Sequence, residues 1–417
     1  MSYGGYPPAP GGYGGYPPAP GGYGNYPPQG GYGGYPPQGG YGGYPPQQPY
    51  PPQQPYPPQP AYPPQGGYGG YPPQQPYAPP MQPGYAQPPA YMPPVGNFPT
   101  LETYGMDIAQ NLLDQDCHML RAAMKGLGTD EKAIINILTS RSNAHRYMIK
   151  QRYKTLLGRD LVKDLKSELS GNFEYVCIAL LDSPYELDCR SLHEAMDRIG
   201  TNEATLIEIV ATRPPHQLYQ DKILFHQLYG KDLVRYVESE TSGHFRRVLV
   251  AMLQCQRHEF DYPINEAELR IDAQRLYQAG EGRWGTDESV FTHIFSTRSP
   301  AEIAVIAGMY KAMSGHDLYD TLKREFSGNV EKLLKAIFYA SINPPEWFAT
   351  RVRNALEDYG TKDKQLVRII VSRAEIDLRQ IQQCYRRLYG RDMIADIRND
   401  TSGDYKRILT EICTKCV

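Results

Sequence analysis

The sequence predicts an all-α fold made of four homologous repeats of about five helices each, behind a long disordered N-terminal tail. Three observations predict it. First, a short glycine loop recurs as MKGLGT at 124–129, MDRIGT at 196–201, EGRWGT at 281–286 and LEDYGT at 356–361. Second, fixed offsets follow each anchor glycine (Gly128, Gly200, Gly285, Gly360). Arg stands thirteen positions on (Arg141, Arg213, Arg298, Arg373), Gly thirty, Asp thirty-two, and a Ser-Gly pair ends forty-three on. Third, the apolar spacing between these marks is helical.

In the first unit, DEKAIINILTSR brings Ile134, Ile135 and Leu138 to one face. HRYMIKQRYKTLLG does the same with Tyr147, Met148, Tyr153 and Leu156 before stopping at Gly158. The recurrent Gly-x-Asp (Gly158 and Asp160 here) fits a helix end followed by a capped helix start. RDLVKDLKSEL and NFEYVCIALL supply two more helices, and a run before the loop supplies the fifth. Thr129 is placed to cap the helix after the loop, with Asp130 and Glu131 suiting its positive end. Successive anchors lie 72, 85 and 75 residues apart, and the longer step falls at QRHEFDYPINEAE, a connection between halves. The expected divisions are residues 1–101, 102–183, 184–256, 257–342 and 343–417.

Residues 1–101 contain no Asp, Glu, Lys or Arg, and the first charge is Glu102. YGGYPPAPGG at 3–12 is repeated letter for letter at 13–22. With Gly and Pro dominant and few aliphatic side chains, burial cannot offset the conformational entropy of this segment. Disorder with polyproline II character is expected. Eighteen tyrosines at near-regular spacing in the first 91 residues suit weak self-association. Pro88, Pro89 and Tyr91 belong to PPAY, a match to a WW-domain ligand.

The 43 basic and 45 acidic residues therefore share the last 316 positions and nearly cancel. No basic field argues for nucleic acid, and none pulls the chain toward an anionic membrane from a distance. The N-terminus has no signal-peptide pattern and no apolar run spans a bilayer, so a cytoplasmic protein is expected. Seven scattered cysteines read as reduced thiols, and the lone CxxC at Cys413 and Cys416 lacks a second pair for a metal. HExxH, GxSxG and P-loop patterns are missing, and a functional acid once per repeat suits binding better than one catalytic centre.

That acid stands forty positions after each anchor: Glu168, Glu240, Glu325 and Asp400. Outward carbonyls of a glycine loop plus one bidentate carboxylate suit calcium, which takes six to eight oxygens in loose geometry. The competing reading has the acid capping a helix or pairing with the repeated Arg. The residue before each anchor is apolar or aromatic (Leu127, Ile199, Trp284, Tyr359), as contact with a bilayer interface favours.

On its G-x-G-T loops, matched acids, TSR and SGN/TSGDY motifs, the chain from about residue 102 onward resembles the annexins. The tail is similar in composition to the Gly-Tyr-Pro tails of the synexin-type members. The resemblance implies a slightly curved, all-helical disc that binds anionic phospholipid with Ca2+ through loops on its convex face. It assigns the first site to the carbonyls of Met124, Gly126 and Gly128 with Glu168. The third goes to the carbonyls of Gly280, Arg283 and Gly285 with Glu325. Arg198 and Asp358 stand where the family has its first loop glycine, which weakens a second site on Glu240 and a fourth on Gly360 and Asp400. Penta-EF-hand proteins are implied as further tail partners, with vesicle bridging as a tail role. The alternative is a tail-driven condensate or scaffold adaptor, with the core as its calcium-regulated membrane tether.

Overall fold

In the computed structural model of the protein, the described residues are 108–126, 128–197, 200–259, 263–357 and 360–416. They form twenty helices and no strand. The first five are α1 (Gln110–Ala123), α2 (Glu131–Ser140), α3 (Asn143–Leu157), α4 (Leu161–Glu168) and α5 (Gly171–Leu181). The same order recurs in α6 (Pro184–Met196), α7 (Glu203–Thr212), α8 (Pro215–Tyr229), α9 (Leu233–Glu240) and α10 (Gly243–Leu253). Then follow α11 (Glu266–Ala279), α12 (Glu288–Thr297), α13 (Pro300–Ser314), α14 (Leu318–Glu325) and α15 (Gly328–Ile342). The last set is α16 (Pro344–Leu356), α17 (Asp363–Arg373), α18 (Leu378–Tyr389), α19 (Met393–Asp400) and α20 (Gly403–Lys415). The tail, with Pro88, Pro89 and Tyr91, lies outside the described residues, so its expected disorder does too.

The recurrent marks do the work their chemistry suggests. Gly158, Gly230, Gly315 and Gly390 each end a helix in the left-handed conformation. Two residues on, Asp160, Asp232, Asp317 and Asp392 each accept a backbone N–H of the next helix and cap it. Inside, a ring fills the same register in every repeat: Tyr153, Phe225, Tyr310 and Tyr385 are all fully buried.

Ion pairs then fix helix to helix. Arg213 on the end of α7 forks onto Asp188 of α6 at 2.7 and 2.8 Å, both side chains buried. Arg141 does the same to Asp116 at 2.8 and 2.9 Å, and Arg298 meets Asp272 at 2.7 Å. In the fourth repeat the equivalent of that Asp is Phe348. Arg373 lies 4.6 Å from its ring and pairs with Asp377 instead. Breaking such a buried pair from one side costs about 3–5 kcal/mol, because a charge is left uncompensated. Across repeats, Arg368 forks onto Glu208 at 2.7 and 2.9 Å, joining the fourth to the second. The second packs on the third through α7 on α15 and α10 on α12, and the first on the fourth through α2 on α20.

One buried acid lacks any such partner. Asp221 of α8 is fully buried, and neither carboxylate oxygen has a hydrogen-bond partner. The same register holds Ile149, Ile306 and Ile381 in the other repeats. Burial first, and neighbouring Asp188 second, push its carboxyl well above the usual carboxylate range. A folded-state value above the unfolded one means the neutral acid is tolerated at low pH. Stability is then lost as pH rises through the folded value. Replacing Asp221 by Ile is therefore expected to stabilise the core at pH 7 by about 1–3 kcal/mol. The gain in denaturant midpoint should shrink toward pH 4.

Candidate metal centre

Each loop leaves its helix and is closed by one backbone hydrogen bond. Asp130 N–H donates to Ala123 at 2.8 Å, Asn202 to Ala195 at 2.8 Å, Asp287 to Ala279 at 2.7 Å and Lys362 to Ala355 at 2.9 Å. The anchor glycines have φ of 84°, 87°, 79° and 89°, and a Cβ added to any of them would meet nothing within 4 Å. Glycine is needed there for its left-handed backbone and not for space.

The threonine after each anchor does something the sequence reading missed. Asp130, not Thr129, caps α2, accepting from Ala133 N–H at 2.9 Å. An aspartate is as good a cap as a threonine, and Thr129 is thereby released. Its hydroxyl donates to Glu168 at 3.3 Å, across 39 residues of chain. In the third repeat Asp287 caps α12, and Thr286 donates to Glu325 at 2.6 Å. In the second, Thr201 donates to the Glu240 carbonyl at 3.1 Å and only distantly, 3.5 Å, to its carboxylate. In the fourth, Thr361 reaches just the backbone carbonyl of Asp400, at 3.3 Å. The aspartate side chain is one methylene shorter.

The repeated arginines are engaged with Asp116, Asp188, Asp272 and Asp377, so they are not the partners of these four acids. Nor do the acids cap helices, since each ends one: Glu168, Glu240, Glu325 and Asp400 are the last residues of α4, α9, α14 and α19. Glu168 and Asp400 are exposed, while Glu240 and Glu325 are half-buried.

Gly280 shows how close loop and acid come. A Cβ there would lie 3.3 Å from Glu325 Cγ and 3.3 Å from the Phe291 ring. The main chain at Gly280 thus passes directly against the Glu325 side chain. Met124 and Gly280 are buried, and the Gly280 carbonyl accepts from Arg283 N–H at 3.1 Å, whereas Gly126, Gly128, Arg283 and Gly285 are exposed. No group of three or more His, Cys, Asp or Glu side chains is gathered for a metal among the described residues. A cation here would take its oxygens from backbone carbonyls and a single carboxylate. That set fits a hard ion with loose geometry such as calcium, and not a zinc site.

Trp284 at the tip of the third loop is 101% exposed. Leu127, Ile199 and Tyr359, with Arg198 and Asp358, lie outside the described residues. Cys413 and Cys416 are buried, and the Cys416 thiol donates to the Cys413 carbonyl at 3.1 Å.

A four-repeat, five-helix array with a glycine loop facing an acid in each repeat defines a class. Four stretches, residues 115–180, 187–252, 271–337 and 347–412, match the annexin family. The chain belongs to that family. It is 47% identical to human annexin A7 over 298 residues, covering 72% of this chain and 61% of that one. The match thus spans about three fifths of that relative's length. Among solved structures it is similar to annexin III, with 40% identity and a TM-score of 0.71 over 74% of this chain and 94% of that one. It is also similar to a structure of calcium-bound annexin (Sm)1, with 33% identity and a TM-score of 0.66 over 72% and 90% of the two chains.

The Gly280 contact makes a direct prediction. Gly280→Ala should push Glu325 away from the loop and raise the calcium concentration needed for the Trp284 emission change on vesicles. The circular dichroism of the helices should stay as it is.

Proposed function

We propose that this chain binds anionic phospholipid membranes in a calcium-dependent manner, through the loops of its first and third repeats. The observation that carries this reading is the hydroxyl bond from loop threonine to distant acid, Thr129 to Glu168 and Thr286 to Glu325. It holds a carboxylate against a glycine loop in two places. The carbonyls of Met124, Gly126 and Gly128 with Glu168 would hold one calcium ion, and those of Gly280, Arg283 and Gly285 with Glu325 another. Gly360 with Asp400, and Glu240 in the second repeat, form weaker counterparts, because Thr361 meets only the Asp400 backbone carbonyl and Thr201 reaches the Glu240 carboxylate only at 3.5 Å.

Calcium bound there supplies a hard positive centre able to take phosphate oxygens. Mostly neutral carbonyls and one carboxylate bind such an ion poorly alone, since ligand charge tunes affinity. The loops leave coordination positions that a lipid phosphate fills, so ion and membrane strengthen each other by the same factor. Two such loops on one core act multivalently. Trp284 adds an aromatic contact of the kind membrane interfaces favour. Among the described residues no helix is long and apolar enough to cross a membrane, which suits docking at the surface. The Tyr-rich tail adds weak self-association or partner binding to this reading, and with it a bridging role between vesicles. We place the repeat divisions at 184, 257 and 343.

The test is co-sedimentation with phosphatidylserine vesicles across a calcium titration. The wild-type chain should pellet only with calcium, and Glu168→Gln combined with Glu325→Gln should need at least tenfold more, as lost charged ligands cost 1.5 kcal/mol or more each (roughly). Equal pelleting of both would move the activity to other repeats or the tail.

A further inference from the structure

The third loop is one residue longer than the others. Its closing hydrogen bond runs from Asp287 back to Ala279, whereas the first runs from Asp130 to Ala123 and the second from Asn202 to Ala195. Glu281 lies in this longer loop, directly after Gly280, and its side chain is only 11% exposed. It accepts from the Thr321 hydroxyl at 2.8 Å and from His316 Nδ1 at 2.9 Å, and it pairs with Arg324. Thr321 is fully buried on α14, one helical turn before Glu325. Glu281 therefore fastens the loop that carries Gly280, Arg283 and Gly285 to the helix that presents the acid facing them.

The other repeats tie the corresponding place on the acid-bearing helix without a loop carboxylate: Asp164 of α4 pairs with Arg121 of α1 at 3.6 Å, the Tyr236 hydroxyl of α9 donates to the Met196 carbonyl at 3.1 Å, and Asp396 of α19 pairs with Arg353 of α16 at 3.2 Å. Asp197 sits near His193, and Glu357 pairs with Arg353, each within its own helix or the turn that ends it. Neither reaches the helix that bears the acid of its repeat. A second effect concerns charge. Arg324 neighbours Glu325 in sequence, and a guanidinium free to swing toward the loop would oppose a cation there. Its pairing with Glu281 neutralises it and draws it aside.

We propose that Glu281 is a positioning residue for the third loop, which it holds in cation-binding geometry before the cation arrives. This rests on the calcium reading above. Pre-ordering a loop removes an entropic cost that binding would otherwise meet. Partners one shell out from a metal ligand typically carry 10–100-fold in affinity (roughly).

Trp284 is the natural reporter, because it stands in this loop fully exposed and the other tryptophan, Trp347, is buried in α16. The full chain is titrated with calcium in the presence of phosphatidylserine vesicles, following Trp284 emission. Glu281→Ala should raise the half-point about tenfold. Glu281→Gln, which still accepts from Thr321 but cannot neutralise Arg324, should fall between it and wild type. Thr321→Val should shift the half-point in the same direction as Glu281→Ala. In calcium-free protein, hydrogen exchange of amides 282–287 should speed up in Glu281→Ala, while the thermal midpoint of the core is unchanged.

A calcium-responsive wild type with an unshifted Glu281→Ala half-point overturns the positioning role. Unchanged loop exchange in that variant does so as well. A wild type whose emission and pelleting ignore calcium overturns the calcium reading and this role together.

Discussion

A hydroxyl-to-carboxylate hydrogen bond across 39 residues brings the glycine loop and the acid of the candidate metal centre together. Thr129 reaches Glu168 at 3.3 Å and Thr286 reaches Glu325 at 2.6 Å. Without it the glycine loop would be a turn and the acid a solvated charge at a helix end. Everything around it serves the same closure. The left-handed anchor glycine turns the chain so that the next residue faces the acid, and Asp130 or Asp287 takes over capping so that the threonine is free. The Arg–Asp forks hold the helices that carry the loop and supply the arginines with partners other than the loop acids. Asp221 apart, the core therefore separates its structural carboxylates, which are paired, from its loop carboxylates, which face a glycine turn.

The four repeats do not carry this arrangement equally. The third has the shortest hydroxyl bond, the closest approach of main chain to acid and a clasp through Glu281. The first has the bond but a more exposed acid. In the second and fourth, the threonine spends its proton on a backbone carbonyl, and the carboxylate is left farther off. The fourth has also lost the Asp of its Arg fork to Phe348. The helical scaffold thus repeats four times over, while the loop threonine holds the acid most closely by its carboxylate in two repeats.

Much of this was legible in the residues themselves. Helix ends were readable because glycine in the left-handed region and aspartate at a cap are local choices, and Gly158 with Asp160 behaves as its type demands. The matched acids were readable from their offset. The role of Thr129 was not, because Thr and Asp are adjacent and both cap helices well; only the fold shows an acid within reach of one of them. The Asp partners of the repeated arginines were hidden for another reason. Their spacing slips by one at Asp272, through the longer third loop, and breaks at Phe348. Asp221 could have been noticed by setting the repeats in register, where three isoleucines stand at its place. Its lack of partners is a property of packing alone.

The coupling of ion and membrane is tested by calcium-binding isotherms of the chain, taken alone, with phosphatidylcholine vesicles and with phosphatidylserine vesicles. Loops made of carbonyls and one carboxylate should bind calcium weakly in the first two cases and many-fold more tightly in the third. Phosphatidylserine affinity should rise by the same factor as calcium is added. A calcium half-saturation that is the same in all three would contradict the account, because the loops would then complete their coordination without a lipid.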